Sequence, residues 1–180
     1  MEQERQIAVL GGGCFWCTEA VYEELRGVIS VMSGYAGGDT SNPTYQNVSG
    51  GKTGHAEVIK IEYNPNKISY SDLLTVFFYM HDPTTLNRQG NDVGTDYRSI
   101  ILYTNDGQRR EAEEFIKNLN KDGAKVVTEL KPLGEFYEAE GYNQDFYKNN
   151  SDKPYCQIVI NPKIDKLKEK FNQLLKSSEK

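Results

Sequence analysis

The segment Gly11-Gly12-Gly13-Cys14-Phe15-Trp16-Cys17 constrains this chain more than any other. Gln6 to Leu10 before it reads as a short apolar strand. After it, Cys14, Cys17, Val21 and Leu25 recur at helical spacing, so Cys14 to Leu25 reads as a helix. Three glycines between the two allow a tight strand-to-helix turn with positive φ angles. The turn delivers Cys14 to the N-terminus of that helix. There the free amide N–H groups and the positive end of the helix dipole favour a thiolate, which predicts a depressed pKa and a reactive sulfur. A phosphate-cradling loop is excluded, because neither Gly-x-Gly-x-x-Gly nor Gly-Lys-Ser/Thr is present.

The rest of the chain alternates strand and helix patterns. Val28 to Tyr35 and Ala56 to Tyr63 read as strands on either side of a Gly-, Asn- and Ser-rich loop over 36–54. Ser69 and Asp72 have the spacing of a capping box ahead of an almost wholly apolar helix from Leu73 to His81. A long loop spans Asp82 to Tyr97, followed by a strand from Arg98 to Tyr103, a helix over about Gly107 to Asp122 and a strand from Val126 to Leu130. Pro132 to Cys156 reads as irregular and aromatic, Gln157 to Ile160 as a short edge strand, and Ile164 to Leu175 as an amphipathic helix. The order β-α-β-β-α-β predicts an α/β (α+β) two-layer sandwich on a ferredoxin-like core, with extra helices and long loops. The length predicts one domain over 1–180, with 157–180 as a C-terminal extension and helix.

A net charge of −5 without a basic patch argues against nucleic acid. No apolar run approaches the ~20 residues that span a bilayer. The charged N-terminus does not resemble a signal peptide, which predicts a cytoplasmic protein, expected to be a monomer. Cys14, Cys17 and Cys156 are the three cysteines, too few and too odd a number for a disulfide framework. Zinc on Cys14, Cys17, Cys156 and His55 is weakly signalled by a single Cys-x-x-Cys, and no metal is expected. A general thiol–disulfide oxidoreductase using Cys14 and Cys17 is the alternative, although bulky Phe15-Trp16 between them argues for a pocket instead. Residues three apart on a helix have Cβ atoms roughly 5–6 Å apart. A disulfide needs about 3.5–4.5 Å, so a distorted first turn is required to join them.

On the strand from Ala56 to Tyr63, Glu57 falls on the same face as Ile59, Ile61 and Tyr63. A carboxyl buried there has a raised pKa and becomes a candidate general acid. Asn42-Pro43-Thr44-Tyr45 is turn chemistry that presents Tyr45, and the stretch Gln89 to Tyr97 presents Asp92 and Tyr97.

Taken together and in order, these segments resemble the A-type peptide methionine sulfoxide reductases. The matching stretches include Gly12 to Trp16, Gly34 to Gly38, Asn42 to Tyr45, Thr53 to Glu57, His81 to Thr84, Gln89 to Asp92, Gly94 to Ser99 and Phe136 to Glu140. The resemblance implies Cys14 as nucleophile, Glu57 as the acid that protonates the sulfoxide oxygen, and Phe15 and Trp16 as the pocket for the substrate methyl group. It implies that Tyr45, Asp92 and Tyr97 help hold that oxygen or water. It further implies methionine-S-sulfoxide as substrate, free or in proteins, no cofactor, and a thioredoxin as reductant. A length of 180 residues leads to the expectation of no fused B-type domain. Two positions depart from the common pattern: Cys17 stands where many members have glycine, and Ser49 lies where some have a cysteine. The resolving thiol is then Cys17 or Cys156. Cys156 is favoured here, on the expectation that a flexible tail carries it over Cys14.

Overall fold

The computed structural model describes residues 4–177. Strand β1 (Gln6–Gly11) runs into the glycine turn and α1 (Phe15–Glu23). Next come β2 (Val28–Ala36), α2 (Tyr45–Ser49), β3 (Ala56–Tyr63) and α3 (Tyr70–Met80). A small hairpin of β4 (Arg88–Gln89) and β5 (Asp92–Val93) leads through a 3-10 turn at Thr95–Tyr97 to β6 (Ile100–Tyr103). Helix α4 (Asp106–Lys121), β7 (Glu129–Pro132), β8 (Phe136–Glu138), α5 (Phe146–Asn149) and α6 (Asn161–Phe171) complete the chain.

Six strands form one mixed sheet in the order β7-β6-β1-β3-β2-β8. Its four inner strands, β6-β1-β3-β2, are all antiparallel to their neighbours. That is the arrangement a β-α-β-β-α-β run produces when both crossovers keep the usual hand, so the expected ferredoxin-like core is present. Alternation along the strands separates two apolar faces. Ala8, Leu10, Ile59, Ile61 and Ile101 join the main core with the helices. Val9, Val58, Ile100 and Leu102 form a smaller cluster on the other face, partly covered by Leu133 and Phe136.

Several local expectations change. The loop 36–54 contains α2, capped by Thr44 and Asn47, which exchange side-chain and backbone hydrogen bonds. The capping box of Ser69 and Asp72 on α3 is present as expected. Within the supposedly irregular 132–156 stretch, β8 pairs with β2 at Gly34↔Glu138. Glycine is needed at 34, because a Cβ there would lie 2.2 Å from the Phe136 ring. The expected edge strand Gln157–Ile160 is instead a wide helical turn over Cys156–Ile160 that continues into α6. Its apolar residues read as a strand in isolation, but Cys156, Ile160, Ile164, Leu167 and Phe171 bury one helical stripe in the main core. Among the described residues no helix is long and apolar enough to cross a membrane.

Candidate active site

Residues from the β1–α1 turn, the start of β3, the α2 loop and the β4–β5 hairpin meet at one end of the sheet. The turn closes with Gly13 at φ 97°, where a Cβ would lie 2.7 Å from Gln89 of the hairpin. Only a glycine lets the loop pack this closely. Cys14 is therefore the N-cap of α1, with the non-helical angles φ −59° and ψ 124°.

Glu57 enters the sheet opposite Tyr35 of β2, and its side chain is 2 % exposed. Its Oε2 accepts a hydrogen bond from the Phe15 backbone N–H at 3.0 Å. Burial pushes the Glu57 pKa from 4.5 up to about 8; the Phe15 N–H opposes the rise, and the charges of Asp96 and Asp92 add to it. The carboxyl is thus protonated at neutral pH, as its place on the apolar face predicts.

Cys14, Glu57, Phe15, Trp16, Tyr45, Asp92 and Tyr97 all line one cavity of about 210 Å³. Tyr155, whose role sequence reasoning missed, lines it too. Trp16 is fixed on three sides. Its Nε1 donates to Asn143 Oδ1 at 3.0 Å, its ring stacks on Phe146 at 3.7 Å between centroids, and the Tyr155 ring meets it edge-on at 5.6 Å. Tyr45 is held from behind by Glu140, whose carboxylate accepts from the Tyr45 N–H at 2.8 Å and the Tyr35 hydroxyl at 2.7 Å. Burial raises the pKa of both Tyr45 and Tyr97, and the Glu57 charge adds to each, so both phenols remain donors. Glu140 was visible in the sequence only as part of a matching stretch, and Asn143 carried no signal at all.

The thiols differ from expectation. The first amide N–H of α1 is engaged by Glu57 rather than by sulfur. Cys14 is held well above an ordinary thiol pKa, first by its hydrogen bond with Cys17, then by burial and the Glu57 charge. Cys17 is drawn down to about 6, first by that same bond from Cys14, against the effect of burial, and with help from the Lys163 charge and Tyr155. The pair therefore gives up one proton readily and shares the anion across a hydrogen bond. The helix terminus does not make Cys14 a thiolate: at rest Cys14 keeps the shared proton and Cys17, its neighbour, carries the anion. The within-helix spacing that separates residues three apart does not apply, because Cys14 lies outside the helix proper.

All three cysteines are free thiols. Cys156 is not on a flexible tail. It is 0 % exposed, lies in the main core at the start of the helical turn, and burial raises its pKa. Tyr155 stands beside it, with its hydroxyl 3.4 Å from Cys17 Sγ. His55 is far from free as a ligand. Its Nδ1 accepts from the Gly38 N–H at 3.0 Å, so its Nε2 donates to the Thr40 carbonyl 2.7 Å away.

A shared thiolate beside a protonated carboxyl in a small, aromatic-walled cavity serves two-electron chemistry at a substrate atom, which defines a thiol-dependent oxidoreductase. Comparison with known proteins narrows this class. Residues 6–175 match the family model described as peptide methionine sulfoxide reductase, and the chain belongs to that family. It is similar to the peptide methionine sulfoxide reductase MsrA of Saccharolobus solfataricus, at 57 % identity over 97 % of this chain and 99 % of that protein. It is also similar to the reduced form of Mxr1 from Saccharomyces cerevisiae, with a TM-score of 0.79, 33 % identity, and coverage of 87 % of this chain and 91 % of the other. Mxr1 has also been solved in complex with Trx2; that structure shares the fold at a TM-score of 0.56 and 24 % identity, covering 81 % of this chain and 87 % of the other. The protein is an enzyme that reduces methionine sulfoxide, and the general thiol–disulfide oxidoreductase alternative is not favoured.

Proposed function

We propose that this single-domain enzyme reduces methionine-S-sulfoxide, free or in proteins, with Cys14 as nucleophile and Glu57 as acid. The carrying observation is that Cys14 and the protonated Glu57 face one cavity of about 210 Å³. The substrate methyl group lies against Phe15 and Trp16, a contact worth about 1–3 kcal/mol in selectivity. The Tyr45 and Tyr97 hydroxyls donate to the sulfoxide oxygen, with Asp92 at the same rim. The proton on Cys14 passes to Cys17, and the Cys14 thiolate attacks the sulfoxide sulfur. Glu57 delivers its proton to the oxygen; the S–O bond breaks, methionine leaves, and Cys14 carries the hydroxyl as a sulfenic acid. Cys17 then attacks that sulfur, expelling water and forming a Cys14–Cys17 disulfide.

Cys17 takes the resolving role in preference to Cys156 because it lines the same groove as Cys14 and its ionisation is tied to that of Cys14, while Cys156 is sealed in the core. A dithiol protein of the thioredoxin class regenerates the pair. The Mxr1–Trx2 complex supports that partner. We place the protein in a reducing cytoplasm, as a monomer that needs no cofactor. The test is peptide mapping of the disulfide formed after one equivalent of methionine-S-sulfoxide, in the parent and in the Cys17→Ser and Cys156→Ser variants. Loss of the disulfide only in Cys17→Ser is expected; a Cys14–Cys156 bond in the parent overturns the assignment of Cys17. Full turnover by Cys14→Ser overturns the whole reading.

A further inference from the structure

The thiol pair has two openings. One is the small cavity described above. The other is a groove of about 780 Å³, also lined by Cys14 and Cys17. Lys163 and Lys166 of α6 form one wall of it, and Asp82 and Asp92 lie on the hairpin side. The two lysines differ. Lys166 is exposed and its ammonium sits over the Tyr79 ring, 4.6 Å from the centroid. Lys163 is half-buried and shares a second, smaller pocket with Cys17. Among the described residues it has no carboxylate partner within 4.0 Å. A half-buried ammonium without a counter-ion is costly, and one that lines the same pocket as a sulfur is suited to an anion that arrives there.

Thiol–disulfide exchange is initiated by a thiolate, an anion, and its rate depends on which sulfur is attacked and on access to it. The sulfoxide cavity is walled by Trp16, Tyr45 and Glu57 and is a poor entry for a protein. We propose that the groove is the entry for the reducing partner, a dithiol protein of the thioredoxin class, and that Lys163 guides its attacking thiolate onto Cys17. This inference rests on the reading that Cys17 resolves the sulfenic acid. The partner's thiolate forms a bond to Cys17 Sγ, the Cys14–Cys17 bond breaks, and the electron pair leaves on Cys14. The partner's second thiol then attacks its own bound sulfur and releases Cys17, so the dithiol supplies both electrons. Attack from this side returns Cys14 first, still facing the sulfoxide cavity.

The experiment uses the full chain, oxidised with one equivalent of methionine sulfoxide and mapped before reductant is added. It is then mixed with a thioredoxin whose second active-site cysteine is serine, quenched in acid and mapped again. The expected mixed disulfide is on Cys17. In steady state, Lys163→Met lowers kcat/KM for intact thioredoxin by on the order of tenfold, a loss that shrinks at high salt, while Lys163→Arg retains the parent rate. A Cys14–Cys156 bond at the first mapping removes the underlying reading. A Cys14–Cys17 bond with the trap on Cys14 overturns only the inference drawn here, as does a Lys163→Met enzyme with parental kcat/KM for thioredoxin.

Discussion

Replacing Glu57 by Gln separates activity from stability, in opposite directions. Glutamine keeps the size of the side chain and an oxygen to accept the Phe15 N–H, but it carries no proton to deliver. Loss of a positioned general acid slows turnover by roughly 10²–10⁴-fold. Stability moves the other way. Glu57 ionises at 4.5 when solvated and at about 8 in the fold. Below pH 4.5 both folded and unfolded chains hold the proton, so the group contributes nothing. As pH rises from there, the unfolded chain ionises while the folded one does not, and the parent loses about 1.4 kcal/mol per pH unit. The loss levels off above pH 8 at up to about 5 kcal/mol. Because the side chain is 2 % exposed, solvent screens little of this. Glu57→Gln is therefore expected to match the parent's stability near pH 4.5 and exceed it by several kcal/mol near pH 8.5, about 10 °C in Tm for a chain of this size. Thermal and urea unfolding across that range, with all thiols kept reduced, measures it. A stability difference that stays constant with pH refutes the claim that Glu57 is held neutral by burial, and undiminished turnover by Glu57→Gln refutes its role as the acid.

Single-turnover sulfoxide reduction should follow a bell-shaped pH profile, rising through about 6 as the thiol pair loses a proton and falling through about 8 as Glu57 does. Cys17→Ala removes the proton-sharing partner while burial and Glu57 continue to hold the Cys14 pKa up, so its acidic limb should move up to or beyond the ordinary thiol range near 8.5, read by stopped-flow or quench; an unmoved limb contradicts the shared anion. Glu140→Ala frees the Tyr45 backbone and the Tyr35 hydroxyl, each of which donates to it, and should lower kcat/KM for methionine sulfoxide by on the order of tenfold while leaving the Glu57 limb of the pH profile in place.

Much of this protein is written in local pattern. The glycine turn, the period of α1 and the alternation along β3 were each legible in isolation, because steric limits on φ and the two- and 3.6-residue periods act within a few residues. Alternation alone placed Glu57 on the apolar face, and burial then raised its pKa as that placement predicts. The C-terminal segment was misread for the complementary reason: three apolar residues, Ile158 to Ile160, do not distinguish an edge strand from a buried helical turn until their neighbours are known. Gly34 and β8 show the same gap, since a close approach between strands distant in sequence leaves no local signature.

What the chain alone determined was the set of reactive groups and the turn that presents Cys14. Tertiary structure decided how those groups behave. Glu57 captures the helix N–H that would otherwise have served Cys14, Cys17 becomes the partner that shares its proton, and Tyr155 and Lys163 arrive from a segment some 140 residues away to face the same sulfurs. Ionisation and access depend on what surrounds a group within a few ångströms, and only the folded chain specifies that neighbourhood.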